Sequence, residues 1–230
     1  MTDEDNFLLY ADILGFSRLT LKEKDDAERM LKKYHKILRN LIKKENISKE
    51  NYFHFSDSFV IRFLKREDTF SFSKKLFYET FDKKIPLRGT IGVGNFILRP
   101  GHDNKFSFTV GSGLVLSSIA EKYHVKGHIL LLVCENKAGN NFEGNGLIRF
   151  DLGTKEEESD LKILTLYGLS KEFKAYIVPW WEKTKAEELK NEIDKRTHGL
   201  DVEKIIYLEK TKEHMNYFIY RDSQGDIDEW

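Results

Sequence analysis

Strand-like and helix-like patterns alternate along the chain as far as about residue 150. The first run, Phe7–Leu14, is almost continuously apolar and predicts a buried strand. Between about 20 and 44 the apolar positions recur at helical spacing while Lys, Glu and Arg fill the other face, which predicts an amphipathic helix. Tyr52–Phe55 and Phe59–Leu64 flank a short polar turn and predict a β-hairpin.

The later pattern adds further helices and strands. Thr69–Phe81 predicts a helix, Leu87–Leu98 a strand with three glycines, and Ile129–Val133 a buried strand. Five weaker segments predict, in turn, a short strand, a helix, a strand, a charged helix, and a strand or short helix: Asn104–Phe108, Val110–Tyr123, Leu161–Leu166, Trp180–Arg196 and Val202–Tyr220. This order predicts an α+β fold, in which helices pack largely on one face of one sheet. We expect 1–150 to form the core and 151–230 an extension that packs on it within the same domain.

The composition narrows the classes of partner. Of the 230 residues, 40% are hydrophobic and 13% aromatic, which is enough for a large core and excludes general disorder. Lys and Arg number 38, and so do Asp and Glu, so the formal net charge is zero. A whole-molecule attraction to nucleic acid or an anionic membrane is not expected, because both need a basic excess. An anionic ligand must therefore be held locally.

The sequence favours a cytoplasmic location. The single cysteine, Cys134, cannot form an internal disulfide. The longest apolar run, Ile129–Cys134, is too short to span a membrane, and the acidic N-terminus has no signal-peptide pattern. The seven histidines lack the spacing of a structural zinc site.

Two aspartates stand where chemistry is expected. Asp12 lies inside a buried strand, where a carboxylate is costly unless it is paired or binds a cation, and Asp57 lies in the hairpin turn. If the two strands are neighbours, both carboxylates lie at one edge of the sheet and form an oxygen-ligand set for Mg²⁺ or Mn²⁺. The alternative is that Asp12 forms a salt bridge with a core arginine such as Arg88 and that Asp57 only shapes the turn.

Four motifs carry a resemblance to a known family. Asp12–Ser17, Phe55–Phe59, Arg88–Gly94 and Val110–Glu121 resemble, in this order, the metal-binding strand with its phosphate loop, the second metal-binding hairpin, the central Arg/Gly strand and the glycine-opened helix of class III nucleotidyl cyclases. The resemblance covers about Phe7–Val133.

The resemblance implies a fold and a chemistry. The fold would be ferredoxin-like, with one central, mostly antiparallel sheet and flanking helices, and the protein would be a homodimer with active sites at the interface. Asp12 and Asp57 would hold two divalent cations, Mn²⁺ or Mg²⁺, with the carbonyl of Ile13. The backbone N–H groups that would cradle the phosphates are those of Leu14, Gly15, Phe16 and Ser17.

The chain also departs from the family pattern. At the two positions that read a purine base, it has Phe53 and Phe108, which can wall or stack on a base but cannot read it by hydrogen bonds. The Asn and Arg that stabilise the transition state on the family helix are replaced by Val115 and Ile119. Arg88 is the cation expected to take over in catalysis, and its alternative role is to pair with Asp12 or Asp57.

The whole pattern is more similar to the short bacterial pyrimidine cyclases of the Pycsar anti-phage systems. That resemblance implies UTP or CTP as the substrate and cyclic UMP or cyclic CMP as a signal to a separate effector. One alternative is a catalytically silent cyclase-like domain that binds a nucleotide or a partner, which Val115 and Ile119 favour. A nucleotidyltransferase related to polymerase palms is a further alternative, although the Ser-Asp-Ser turn lacks the Gly-Gly motif of that class.

Overall fold

A computed structural model describes residues 6–94, 97–99, 108–110, 127–135, 142, 147–150, 173–197 and 202–223. The strands of this part of the chain are β1 Asn6–Ile13, β2 Tyr52–Phe55, β3 Ser58–Phe63, β4 Leu87–Gly94, β5 Ile97–Arg99, β6 Phe108–Val110, β7 Ile129–Glu135, β8 Ile148–Phe150 and β9 Phe173–Ile177. Its α-helices are α1 Phe16–Lys22, α2 Lys24–Lys44, α3 Arg66–Asp82, α4 Ala186–Thr197 and α5 Val202–Ser223. Short 3₁₀ helices span Lys49–Asn51 and Lys183–Lys185.

Seven of the strands form one sheet in the order β2-β3-β1-β4-β7-β9-β8. The β4–β7 pair is parallel, and the other five neighbouring pairs are antiparallel. Strands β5 and β6 form a separate antiparallel pair. The expectation of an α+β fold with one mostly antiparallel sheet and flanking helices is confirmed.

The main core lies between the sheet and the helices. On β1 the alternate side chains Phe7, Leu9, Ala11 and Ile13 belong to this core, together with the apolar faces of α2 and α3. The next side chains along β1, Leu8 and Tyr10, face the other way and form a small cluster with Val60 of β3. Asp12 has the same parity as Leu8 and Tyr10, so the strand alternation directs it away from the helical core.

The N-terminal helical pattern forms two helices instead of one. Glu23, between α1 and α2, has φ −141° and ψ 69°, which breaks the helical path for one residue. Its N–H still donates to the carbonyl of Leu19, and the N–H of Ala27 donates to the carbonyl of Glu23. The two helices therefore meet at a corner close to the end of β1.

The C-terminal segment forms a 22-residue helix, α5. The sequence pattern had predicted either a strand or a short helix there. Leu208 and Met215 of this helix are buried in the main core, at the seven-residue spacing of one helix face. The helix is also tied to the start of β7, because the N–H of His128 donates to Oγ1 of Thr211 at 2.8 Å. The predicted strand 87–98 is divided into β4 and β5.

Two glycines are required by the backbone. Gly15 has φ +72°, in the left-handed region, and lets the chain turn from β1 into α1. A Cβ at Gly89 would lie 2.8 Å from the ring of Phe77 and 3.1 Å from the Cβ of Ala11. Gly89 thus allows α3 to pack closely against β4, as the glycine-rich strand suggested.

Several predicted elements lie outside the described residues: the segment 161–166, nearly all of the helix predicted for 110–123, and all but the last residue of the strand predicted for 104–108. Among the helices that the structure describes, none is both long and apolar enough to cross a membrane.

Candidate active site

Asp12 and Arg88 form a two-point salt bridge. They stand opposite each other in the antiparallel pairing of β1 with β4. Nε of Arg88 donates to Oδ1 of Asp12 at 3.2 Å, and Nη2 donates to Oδ2 at 2.9 Å. The Arg88 side chain is 19% exposed and that of Asp12 13% exposed, so the pair is mostly withdrawn from water. A charge-assisted pair of this geometry compensates for burying the Asp12 carboxylate.

Asp57 lies beside this pair because the β2–β3 hairpin turns at the end of β1. Asp12 is the register partner of Ser58, the residue after Asp57. The N–H of Ile13 donates to the backbone carbonyl of Asp57 at 3.2 Å. The structure therefore brings Asp12 and Asp57 to the same end of the sheet, on neighbouring strands.

The turn that carries Asp57 is held in an uncommon backbone conformation. Ser56 has φ +52°, which few residues other than glycine adopt. His35 of α2 secures it, since its Nε2–H donates to the carbonyl of Ser56 at 2.8 Å. The ring of His54 packs edge-on against that of His35 at a centroid distance of 5.3 Å. A helix thus fixes the hairpin turn from outside the sheet, which the sequence analysis did not anticipate.

The negative charges of the site act on each other. Burial raises the pKa of Asp57, and the negative charge of Asp12 raises it further. Hydrogen bonds from its own backbone N–H and from the Ser56 side chain act in the opposite direction. In contrast to Asp12, Asp57 makes no ion pair with any described residue. Its carboxylate is the less compensated of the two.

Tyr34 contributes a buried hydroxyl close to these charges. The residue is fully buried on α2, and its ring lies 6.2 Å from that of Phe59. Its hydroxyl has no hydrogen-bond partner among the described residues. Burial raises the pKa of Tyr34 well above its usual value, and the negative charges of Asp12 and then Asp57 raise it further. In the sequence, Tyr34 is one apolar position of the α2 stripe, and only its phenol group distinguishes it from core.

The donor set fits a hard divalent cation. Mg²⁺ is commonly held by one or two carboxylates, with waters and substrate phosphates completing its shell. Asp57 offers an unpaired carboxylate, and the orphan hydroxyl of Tyr34 shows that the surroundings have unused hydrogen-bonding capacity. Arg88 already uses both oxygens of Asp12, so a cation there must share or displace this arginine. Among the described residues no cluster of three or more Asp, Glu, His or Cys is suited to a metal.

The predicted phosphate loop is only partly available. The N–H of Leu14 donates to the carbonyl of Pro86 at 2.9 Å, so it is already used, which differs from the expectation for this residue. Gly15 precedes α1, and the N–H groups of Phe16 and Ser17 fall in the first helical turn, where no carbonyl of the same helix can accept them. Gly15 and Ser17 are exposed, whereas the Phe16 side chain packs in the core.

The residues predicted to wall a base are in different sheets. Phe53 is on the edge strand β2 and is 39% exposed. Phe108 begins β6, in the separate two-stranded sheet. A shared base pocket of Phe53 and Phe108 stays a prediction, and Val115 and Ile119 lie outside the described residues.

Neither a protein-family model nor a curated protein sequence matches the chain. Solved structures of nucleotide cyclases do resemble it. An adenylate cyclase from Trypanosoma brucei, solved in its monomeric state, aligns with a TM-score of 0.53 and 15% identity over 76% of this chain and 91% of that one. A dimeric guanylyl cyclase domain of the RhoGC fusion protein from the fungus Blastocladiella emersonii gives 0.51 and 13%, over 76% and 96%.

The adenylyl cyclase CyaB from P. aeruginosa gives a TM-score of 0.50 with 14% identity, over 78% of this chain and 95% of that one. The chain spans 53% of the length of a bacterial light-regulated adenylyl cyclase. At these identities the likeness establishes the fold. The protein therefore has the fold of adenylyl and guanylyl cyclase domains.

Proposed function

We propose that the protein is a metal-dependent nucleotidyl cyclase that converts UTP or CTP into the 3′,5′-cyclic monophosphate and pyrophosphate. The observation that carries this proposal is the convergence of Asp12 and Asp57 at one end of a sheet with the cyclase-domain fold. Arg88 compensates for the burial of Asp12, but the partly buried Asp57 beside it has no ion-pair partner among the described residues, so its carboxylate is the one that calls for a ligand.

Each residue has a defined role in this proposal. Asp12 and Asp57, with the carbonyl of Ile13, hold two divalent cations. When bound, such cations activate the 3′-hydroxyl and neutralise charge on the pyrophosphate. The free N–H groups at the start of α1 orient the phosphate chain. Arg88, withdrawn from water beside Asp12, supplies positive charge to the reacting phosphate, where low water access strengthens its effect.

The choice of a pyrimidine as the base rests on the residues at the positions that read the base in purine cyclases and on the resemblance to Pycsar cyclases. Phe53 offers an exposed ring and no hydrogen-bonding group, so it supports a wall or a stacking surface for a base. The similarity to Pycsar cyclases supports a cyclic pyrimidine second messenger in anti-phage defence, read by a separate effector. The resemblance to class III cyclases supports a homodimer with active sites at the interface. For 151–230, the extension of the core, we propose a role in dimerisation or regulation.

One observation favours a second candidate, a catalytically silent domain that binds a nucleotide. The Asp12–Arg88 salt bridge already satisfies the carboxylate that would hold the metal. In this alternative Arg88 has the structural role that a lost metal site would need. Metal-dependent product formation distinguishes the two.

The test is to incubate the purified protein with ATP, GTP, CTP and UTP separately in the presence of Mn²⁺ and to identify the products by mass spectrometry. Asp57→Ala removes one proposed ligand. Asp68→Ala, at an exposed position on α3, is the matched control for loss of one aspartate.

We expect a cyclic pyrimidine monophosphate from the parent and from Asp68→Ala, and none from Asp57→Ala. A cyclic purine product would keep the cyclase mechanism and refute the pyrimidine assignment. Nucleotide binding without product from any of the four substrates would favour the silent domain.

A further inference from the structure

An open cleft lies next to the candidate active site. Its volume is about 820 Å³, within the range of small-molecule sites. One wall is formed by α1 and α2, and the other by the loop from Lys83 to Pro86, which joins α3 to β4. Leu14 and Gly15, at the end of β1, also line the cleft.

The lining of the cleft is strongly basic. Its acidic side chains are those of Glu23 and Asp26. Against these two it has six cationic side chains, an excess of four positive charges: Arg18, Lys22, Arg29, Lys33, Lys83 and Lys84. The complete chain has no formal net charge. Positive charge is therefore concentrated at this cleft, as the local binding of an anion requires.

Part of this charge has no ion-pair partner in the portion of the chain that the structure describes. Arg29 pairs with Asp26, and Lys83 pairs with Asp82 at 2.6 Å. Among the residues that the structure describes, Lys22, Lys33 and Lys84 make no ion pair. These three lysines come from α1, α2 and the α3–β4 loop, so they surround the cleft from separate segments. Unpaired cations on three separate segments favour a ligand with several negative charges, such as a chain of phosphates, over a ligand with one anionic group.

The cleft also has an apolar part. Leu19, Met30, Ile85 and the ring of Tyr207 contribute to its lining. Ile85 is 2% exposed and also belongs to the main core, so the cleft borders that core directly. A cleft lined by both cationic and apolar residues suits a molecule with both a polyphosphate and a less polar portion, such as a nucleotide.

Both walls continue directly into the candidate site. Leu14 follows Asp12 by two residues, and Pro86 precedes Arg88 by two. The hydrogen bond from Leu14 N–H to the carbonyl of Pro86, 2.9 Å long, joins the two walls. A ligand held by lysines on both sides would therefore restrain the segments that carry the Asp12–Arg88 pair.

We propose that this cleft binds a small molecule that carries a chain of two or more phosphate groups. The lysines of α1, α2 and the α3–β4 loop hold the phosphates, and the apolar part of the cleft accommodates the rest. The phosphate chain belongs either to the substrate itself or to a separate phosphorylated molecule that controls turnover. Binding does not depend on the proposed function, whereas the effect on turnover rests on it.

The experiment measures binding of inorganic tripolyphosphate to the full chain by isothermal titration calorimetry, in EDTA and without divalent cations. The cleft variant combines Lys22→Gln, Lys33→Gln and Lys84→Asn. Asn is chosen because Lys84 has φ +58°, which Asn tolerates better than most residues. The control variant removes three exposed α2 lysines that do not line the cleft: Lys36→Gln, Lys43→Gln and Lys44→Gln.

We expect one tripolyphosphate per chain for the parent, binding at least about tenfold weaker for the cleft variant, and a change of less than about twofold for the control. Equal weakening in both variants would show that only net charge matters and would overturn the site, as would absence of binding to the parent. If the triple variant does not fold, Lys33→Gln alone is expected to weaken binding about threefold.

Turnover by the cleft variant, measured with UTP and with CTP, then identifies the source of the phosphates. A raised KM with unchanged kcat assigns the cleft to the substrate's own triphosphate. A changed kcat with unchanged KM, together with an effect of tripolyphosphate at saturating substrate, assigns it to a separate regulator. Failure of the cyclase proposal would leave the calorimetric result intact, so the two proposals fail separately.

Discussion

Two polar clusters meet at consecutive residues of β4 and differ in how completely their polar atoms are bonded. The imidazole of His128, only 1% exposed, belongs to the first. Its Nδ1 accepts from the N–H of Leu87 at 3.1 Å and from the hydroxyl of Tyr207 at 2.9 Å. Its Nε2–H donates to the carbonyl of Phe77 at 2.8 Å. The second cluster begins at the next residue, Arg88.

The second cluster is charged and incompletely bonded. Arg88 and Asp12 satisfy each other. Among the described residues, however, Asp57 lacks an ionic partner and the hydroxyl of Tyr34 lacks a hydrogen-bond partner. Burial lowers the pKa of His128 to about 3, which keeps it neutral, whereas burial and Asp12 raise the pKa of Asp57. One cluster is therefore built for stability. The other leaves capacity that a ligand can use.

The largest loss of stability is expected from removing His128, the centre of the fully bonded first cluster. His128→Ala leaves the N–H of Leu87, the carbonyl of Phe77 and the hydroxyl of Tyr207 without their partner and opens a cavity. We expect a loss of about 3–5 kcal/mol in the free energy of unfolding, measured with urea at pH 7. His54→Ala, at an exposed histidine, should cost less than about 1 kcal/mol. Similar losses of unfolding free energy in the two variants would show that the bonded His128 cluster contributes no more to stability than an exposed histidine.

Breaking the salt bridge of the second cluster should cost less, since both side chains keep some contact with water. Arg88→Ala is expected to lower the free energy of unfolding by about 2–3 kcal/mol, to leave the protein folded and to abolish turnover. Because Asp12 is then free, Mn²⁺ should raise the melting temperature more in the variant than in the parent.

Arg62→Ala is the matched control, because Arg62 bonds the neutral side chain of Asn6 at 2.9 Å. It should change the Mn²⁺ response little. An unchanged turnover rate in folded Arg88→Ala would remove Arg88 from the mechanism.

The two clusters should also respond to pH with opposite sign. Unfolded His128 takes up a proton below about pH 6.5 while the folded form resists it down to about pH 3. This group therefore lowers stability on acidification by up to about 1.4 kcal/mol per pH unit. Asp57 has a raised pKa in the folded state, so from near pH 4 upward it favours the folded state more as the pH falls.

Asp57→Asn removes that opposing contribution. Urea unfolding between pH 4 and 7 should show a steeper loss of stability on acidification in the variant than in the parent. A shallower loss of stability in the variant would mean that Asp57 destabilises the folded state on acidification, which is the opposite of the contribution that we assign to it.

The smallest change in stability is expected from removing the buried hydroxyl of Tyr34. Tyr34→Phe removes a buried group that makes no hydrogen bond with the described part of the chain, so the free energy of unfolding of the metal-free protein should rise by about 1 kcal/mol. If this hydroxyl supports the loaded site, the stabilisation by Mn²⁺ should fall at the same time. Thermal unfolding with and without Mn²⁺ measures both, and an undiminished Mn²⁺ response would leave Tyr34 a purely structural residue.

The strands and helices near the site were accessible from the sequence because each is encoded by a local pattern. The β2–β3 hairpin and α3 follow from short-range periodicity, and the glycine turn after β1 follows from one residue. The resemblance to class III cyclases correctly indicated the fold. The division between α1 and α2 was missed, because the apolar stripe continues across Glu23 and only its backbone angles interrupt the helix.

What the sequence could not supply is the partner of each polar group. It left open whether Arg88 pairs with Asp12 or Asp57, and that choice depends on the register of β1 with β4. The pattern around His128 does not indicate its partners, because its ring bonds three elements far apart in the chain. The long α5 helix was obscured because exposed apolar residues, such as Ile206, Tyr217 and Tyr220, interrupt the pattern of its buried positions Leu208 and Met215.

The salt bridge between Asp12 and Arg88 joins residues 76 positions apart. A growing chain that has not yet added β4 holds both carboxylates but lacks the arginine that neutralises one of them. Folding β1 against β3 alone would bury Asp12 beside Asp57 with no opposite charge from β4, so this intermediate gains little. The Asp12–Arg88 pair thus makes formation of the candidate site depend on the pairing of β1 with β4 at the centre of the sheet. Fragments of the chain that end before β4 should not retain a preformed site.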